Sequence, residues 1–225
     1  MTLLHTALKP LIQCLILIVL TSAAPATIAS AQQAQTAEEP LVKFAPGNLA
    51  ALPIRLELPE EIVLMNPDGD VTITEFFDYF CHACQRVGAE VQQVAAEDGN
   101  IRLVLREFPV LNGEESLVLA RIALAAYKQG IYHEVHNDFM KAHGPSVETA
   151  VRIVQSHGGS FEQLKIDIND PAILDMIVKN VNLGTEKNLR ATPSFMVEDI
   201  AMQGFPGRER MLEFVEKIRA ERKGG

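Results

Sequence analysis

The chain has 225 residues, 48% hydrophobic and 22% charged, with a net charge of -9 at pH 7. That balance, with a pI near 5.2, argues against a nucleic-acid partner, because binding a phosphate backbone needs an excess of Lys and Arg. The length allows one substantial core, or two smaller ones sharing an interface, and there is no internal repeat and no tryptophan.

Residues 1–31 have the pattern of a signal peptide: Lys9, a nearly all-apolar run from Leu11 to Leu20, then the small residues Ala29-Ser30-Ala31. The run is about half the roughly 20 residues a spanning helix needs, so the expectation is export to the periplasm. The mature chain then begins at Gln32 and has 194 residues (225 less 31); losing Lys9 makes its net charge -10. Cys14 leaves with the leader. It follows Gln13 and precedes most of the apolar run, which does not suit a lipoprotein anchor. Cys81 and Cys84 are the two cysteines that remain.

Residues 32–60 read as an N-terminal arm, broken by Pro40, Pro46, Pro53 and Pro59. Strands are predicted at Ile62 to Met65 and Val71 to Phe77, around the turn sequence Asn66-Pro67-Asp68-Gly69-Asp70. The second strand leads into Cys81. Val87, Val91 and Val94 then recur at a helical period, Asp98-Gly99-Asn100 breaks it, and a strand follows over Ile101 to Phe108. A right-handed crossover would leave the strands before and after that helix parallel.

Helices are predicted at Glu115 to Gln129, Ile131 to Lys141, Ser146 to His157, Ser160 to Ile166 and Pro171 to Leu189. Asn112 with Glu115 and Ser160 with Gln163 fit capping boxes, and Asp170-Pro171 fits an N-cap followed by proline at the first helical position. Short strands at Ser194 to Val197 and Ile200 to Gln203 precede a last helix marked by Met211, Leu212, Val215 and Ile218. Glu213, Glu216, Lys217 and Glu221 form its solvated face. The fold class is therefore α/β: residues 61–111 and 192–225 form a thioredoxin-like fold, with an inserted α-helical domain over residues 112–191.

The chemistry centres on Cys81-His82-Ala83-Cys84, a pair too closely spaced to staple so long a chain. At the start of a helix, the first thiol meets unpaired N–H groups and the positive end of the helix dipole. Cys81 is thus expected to be the exposed nucleophile with a lowered pKa, and Cys84 the buried resolving thiol. The rival reading is a metal-binding envelope protein using Cys81, Cys84 and His82 for a metal such as copper; a third is a non-catalytic binding domain on the same fold. His133, His136 and His143 invite a metal reading too, but the first pair is one residue short of metalloprotease spacing. They are placed on a partly exposed helix face and the loop after it, with no metal.

The segment Glu75-Phe76-Phe77-Asp78-Tyr79-Phe80-Cys81-His82-Ala83-Cys84 resembles the active-site strand and helix start of the DsbA family of bacterial envelope oxidoreductases. Arg106-Glu107-Phe108-Pro109-Val110-Leu111 and Ala191-Thr192-Pro193-Ser194-Phe195 extend the resemblance, which covers roughly Ile62 to Ile218. It implies a protein thiol-disulfide oxidoreductase with no cofactor. Its partners would be cysteine-containing exported proteins and a membrane redox partner. By the same resemblance Thr192-Pro193 is a substrate-binding loop, with a cis proline facing the cysteines, and an acid stands at Glu75. A buried carboxylate there could accept or relay the proton of Cys84; the alternative is a strand residue turned to solvent. DsbA itself has proline then histidine between its cysteines, so His82 departs from that order, and the direction of electron flow stays open. An imidazolium at His82 would lower the Cys81 pKa further. The arm offers no long oligomerising helix, so the expectation is a monomeric dithiol oxidase, with isomerase or reductase as the alternative.

Overall fold

The computed structural model of the chain describes residues 56–224, so the expected leader and most of the arm lie outside the described residues. The elements run β1 (Ile62–Met65), β2 (Val71–Phe77), α1 (His82–Asp98), β3 (Ile101–Glu107), α2 (Glu114–Lys128), α3 (Tyr132–Ala142), α4 (Val147–Ser156), α5 (Phe161–Asp167), α6 (Pro171–Glu186), β4 (Ser194–Val197), β5 (Ile200–Gln203) and α7 (Arg208–Gly224). The sheet order is β1-β3-β2-β4-β5. Parallel pairing of β2 and β3 runs from Val71 opposite Ile101 to Phe77 opposite Glu107, while the outer pairings are antiparallel. This is the thioredoxin-like α/β fold, with its helices α2 to α6 lying between β3 and β4 in the chain.

β2 occupies the centre of the sheet, which explains its apolar sequence and also buries Glu75 within it. On one face, Val71, Ile73, Leu103 and Phe195 pack against Val91 and Val94 of α1 and Met211 and Val215 of α7. Alternation puts Phe76 on the other face, where it joins Phe108, Leu189 and Met196. The Arg219 guanidinium anchors α7 by bridging Asp70, before β2, and Asp98, at the end of α1. Its hydrogen bonds hold both carboxyls below their ordinary range.

α2 forms the core of the helical block, with Val118, Leu119, Ile122 and Ala126 buried. Lys128 at its end is also buried and pairs with Asp170. As expected, Ser160 caps α5 through the Gln163 N–H and Asp170 caps α6 through the Ala172 N–H, with Pro171 in its first turn. Two expectations need correction. Gly113, not Asn112, is the N-cap of α2, at φ 53° with no side-chain cap; Asn112 instead gives its amide to the Glu115 carboxylate and its N–H to Ser116 Oγ. His136, expected on a partly exposed face, is only 3% exposed because that face of α3 lies on the end of the sheet beside Phe77 and Tyr79.

α6 crosses β3's continuation closely at Gly184, where an added Cβ would lie 2.6 Å from the Phe108 ring. Gly184→Ala is therefore expected to cost about 1–3 kcal/mol by overpacking, despite the better helix propensity of alanine. Urea unfolding followed by circular dichroism checks this; an unchanged midpoint would show that Phe108 yields freely.

Candidate active site

β2 delivers the site. Just beyond it, Asp78 accepts hydrogen bonds from the N–H groups of Phe80, Val110 and Leu111 and from the Ser116 hydroxyl, all at 2.9–3.0 Å. The Phe80 bond, two residues on, is an Asx-type turn that reverses the chain toward α1. Cys81 then takes the N-cap position in extended backbone geometry, and its sulfur accepts the Cys84 N–H at 3.1 Å. The sulfur thus lies where the helix's unpaired donors point, the environment that favours a thiolate. Cys81 and Cys84 form a disulfide, with Cα atoms 5.2 Å apart. Cys84 is fully buried, as expected; Cys81, expected to be exposed, shows only 4% of its surface because it belongs to the buried cluster that holds Tyr79, Cys84 and Val118.

A cleft of about 380 Å³ between α1 and α3 is lined by Glu75, Cys84, Gly88, His136, Lys141 and His143. Glu75 faces inward rather than to solvent, 2% exposed, and its Oε1 has no hydrogen-bond partner. A Cβ on Gly88 of α1 would sit 3.8 Å from that oxygen, so the carboxyl lies directly beneath the active-site helix. Burial pushes its pKa up to about 8.

A second buried carboxyl, Glu107, is treated differently. Tyr79 and Tyr132 both donate to its Oε1, at 3.0 and 2.9 Å, and Tyr79 Oη also meets His136 Nδ1 at 3.2 Å. Burial raises the Glu107 pKa well above the usual carboxylate range against the opposing pull of these two hydroxyls. Burial, with the neighbouring His133, depresses His136 to about 3, so its ring is neutral. Asp78, Tyr79 and Glu107 lie in the segments that resemble the family, and their spacing in the sequence assigns them no role. A local signal existed for Asp78, an acid two residues before the backbone N–H that its turn must satisfy.

The Thr192-Pro193 bond is cis. β4 pairs with β2 with Ser194 opposite Phe76, and continuing that register sets Pro193 beside Phe77, four residues before Cys81. The Pro193 carbonyl accepts the Gly204 N–H, while Thr192 Oγ1 is buried without a partner. His82 is exposed on the first turn of α1, its ring centroid 5.9 Å from that of His143.

A disulfide held at a helix N-terminus, with a buried carboxyl beneath that helix, defines a thiol-disulfide oxidoreductase. A thioredoxin family model matches residues 57–217, and the chain belongs to the thioredoxin family. It is 40% identical to a thioredoxin-like oxidoreductase from Silicibacter pomeroyi DSS-3, covering 72% of this chain and 94% of that one, with a TM-score of 0.66. It is 25% identical to the thiol-disulfide exchange protein alpha-DsbA2 from Wolbachia pipientis, with a TM-score of 0.63 and coverage of 70% and 87%. BdbD from Bacillus subtilis, at 19% identity, shares the fold with a TM-score of 0.60 over 72% of this chain and 95% of that one. The chain is thus a thiol-disulfide oxidoreductase of the DsbA type. A curated relative, the Na(+)/H(+) antiporter NhaA of Herminiimonas arsenicoxydans, is 24% identical over 161 residues, which are 69% of this chain and 26% of that protein. The chain spans about a quarter of that relative's length.

The raised Glu75 pKa gives a test. Between about pH 4.5 and 8 the folded chain keeps a proton on Glu75 that the unfolded chain has lost, so stability falls as pH rises through this window and levels off above it. Glu75→Gln removes that loss, so the variant's advantage is expected to grow across the window to the order of a few kcal/mol. His136 titrates in both proteins and cancels from the difference. Urea midpoints at pH 5, 7 and 9 measure it, and a pH-independent difference would show that Glu75 titrates normally.

Proposed function

We propose that the chain is an exported, periplasmic dithiol oxidase that acts as a monomer on cysteine-containing exported proteins. The observation that carries the reading is the Cys81 sulfur at the N-terminus of α1, facing the Cys84 N–H. Stabilising the Cys81 thiolate stabilises the reduced enzyme, which makes the disulfide a stronger oxidant. Thiol-disulfide exchange is also the activity named for alpha-DsbA2.

In the proposed cycle a client thiolate attacks Cys81 Sγ, the Cys81–Cys84 bond breaks, and Cys84 leaves as a thiolate that takes the proton held by Glu75. A second client thiolate then attacks the client sulfur of the mixed disulfide and expels Cys81 as a thiolate. Two electrons have passed from client to enzyme. A membrane redox partner accepts them, and Glu75 recovers its proton as the enzyme disulfide re-forms. We assign Thr192 and Pro193 to the client backbone and His82 to tuning of Cys81, and we treat residues 112–191 as an inserted domain. The metal-binding rival would have Cys81, Cys84 and His82 as ligands where a closed zinc site uses four, and stoichiometric metal after purification under reducing conditions would favour it.

Equilibration with glutathione is expected to give a reduction potential nearer about -120 mV, the DsbA value, than about -270 mV, the thioredoxin value. A thioredoxin-like value would move the assignment to reductase or isomerase. Non-reducing gels of cell envelopes test the roles of the cysteines: Cys84→Ser should accumulate mixed disulfides with clients, and Cys81→Ser should form none. The reverse pattern would exchange the two assignments.

A further inference from the structure

The turn between α3 and α4 reaches from the helical block to the active site. His143 ends α3 in the left-handed region at φ 56°, where glycine or asparagine costs less. Gly144 follows at φ 73°, and a Cβ there would meet the Phe80 ring at 2.5 Å, so the turn is pressed onto the residue that precedes Cys81. His143 also touches the first turns of α1. Its ring lies 5.9 Å from His82, and its Nδ1 is hydrogen-bonded to Gln85 Oε1. Gln85 is itself fixed, because its amide N–H donates to the Tyr79 carbonyl at 3.1 Å. That leaves its oxygen as the acceptor, so His143 Nδ1 carries the proton of the shared bond.

We propose that His143 is a positioning residue for disulfide exchange, holding His82 and the first turns of α1 in the arrangement that favours the Cys81 thiolate. It acts through His82 and Gln85 and does not itself touch sulfur. The groups around it are His82 and Gln85 from α1, Phe80 from the preceding loop, and Lys141 from its own helix, which pairs with Asp138. Glu75 and His136 line the same cleft. At φ 56° glycine would cost less than histidine, so the imidazole is not something the turn itself requires.

This proposal rests on the reading that Cys81 thiolate stability sets the potential, and the experiment separates the two. The full chain, His143→Gly, His82→Ala and the double variant are equilibrated with glutathione, and thermal unfolding is recorded for each. His143→Gly is expected to unfold no earlier than the parent, since glycine suits the left-handed position. Its equilibrium should move about threefold toward the disulfide, a range typical of a lost charge or dipole contact at a helix end, or about 14 mV more negative at 29.6 mV per tenfold. In the His82→Ala background the same change should shrink, because the two act together. A His143→Gly potential equal to the parent's, beside a shifted His82→Ala, overturns the proposal alone. An undiminished shift in the double variant overturns the route through His82. A His82→Ala potential equal to the parent's removes His82 from thiolate tuning and overturns the proposal, while the reading that rests on the helix N-terminus stands.

Discussion

The Asp78 carboxylate, 2% exposed at the end of β2, is the point from which the active site is organised. It accepts four hydrogen bonds, one from the loop that leads to Cys81, two from the loop after β3 and one from the first turn of α2. Hydrogen bonds to a charged acceptor are worth roughly 1.5–3 kcal/mol each, and losing the acceptor would strand three backbone N–H groups. One side chain therefore sets where the cysteine loop stands relative to the sheet and the helical block. The displacement of the α2 cap from Asn112 to Gly113 goes with this gathering of loops, since the Asn112 N–H is taken by Ser116 Oγ, whose hydroxyl donates to Asp78.

The two deeply buried glutamates show how the same strand ends are used for opposite purposes. Glu107 has tyrosine donors and sits in an ordered aromatic cluster with His136 stacked on Tyr132. Its environment is built to hold a polar group still. Glu75, two strand positions earlier on the neighbouring β2 in the paired register, has an oxygen with no partner and borders an open cleft. An unpartnered buried oxygen costs stability. In the proposed cycle Glu75 gives up and regains a proton, and for that role the cost is understandable, because a carboxyl locked by strong donors would hold one protonation state.

The parts of this architecture legible in the sequence are those decided by neighbours in the chain. Strand bounds at β1, β2, β4 and β5, the caps at Ser160 and Asp170, and the cysteine pair opening α1 follow from local spacing and residue type. Contacts set by distant segments were not legible. β1 and β2 are joined by a short turn, yet β3 lies between them in the sheet, and nothing in the turn residues encodes that. His136 shows the same limit. It stands between Val135 and Asn137 in a helix that also carries His133, Glu134 and Asp138, and the approach of Phe77 and Tyr79 makes its face an interior one.

The helical block is thus more than an insertion carried by the thioredoxin-like sheet. It contributes Tyr132 and His136 to the cluster that fixes Glu107, Ser116 to the Asp78 network, and His143 with Gly144 to the loop around the cysteines. All but His143, which reaches His82 and Gln85 on α1, meet residues at or just beyond the C-terminal ends of β2 and β3. The strand–helix junction supplies the sulfur with its helix dipole, which any cysteine pair at a helix start would share. What the helical block adds to this site is the wall opposite α1, made by α3 and the turn after it. Under the proposed role of His143, the oxidising power of this chain depends on that wall as well as on His82 beside Cys81.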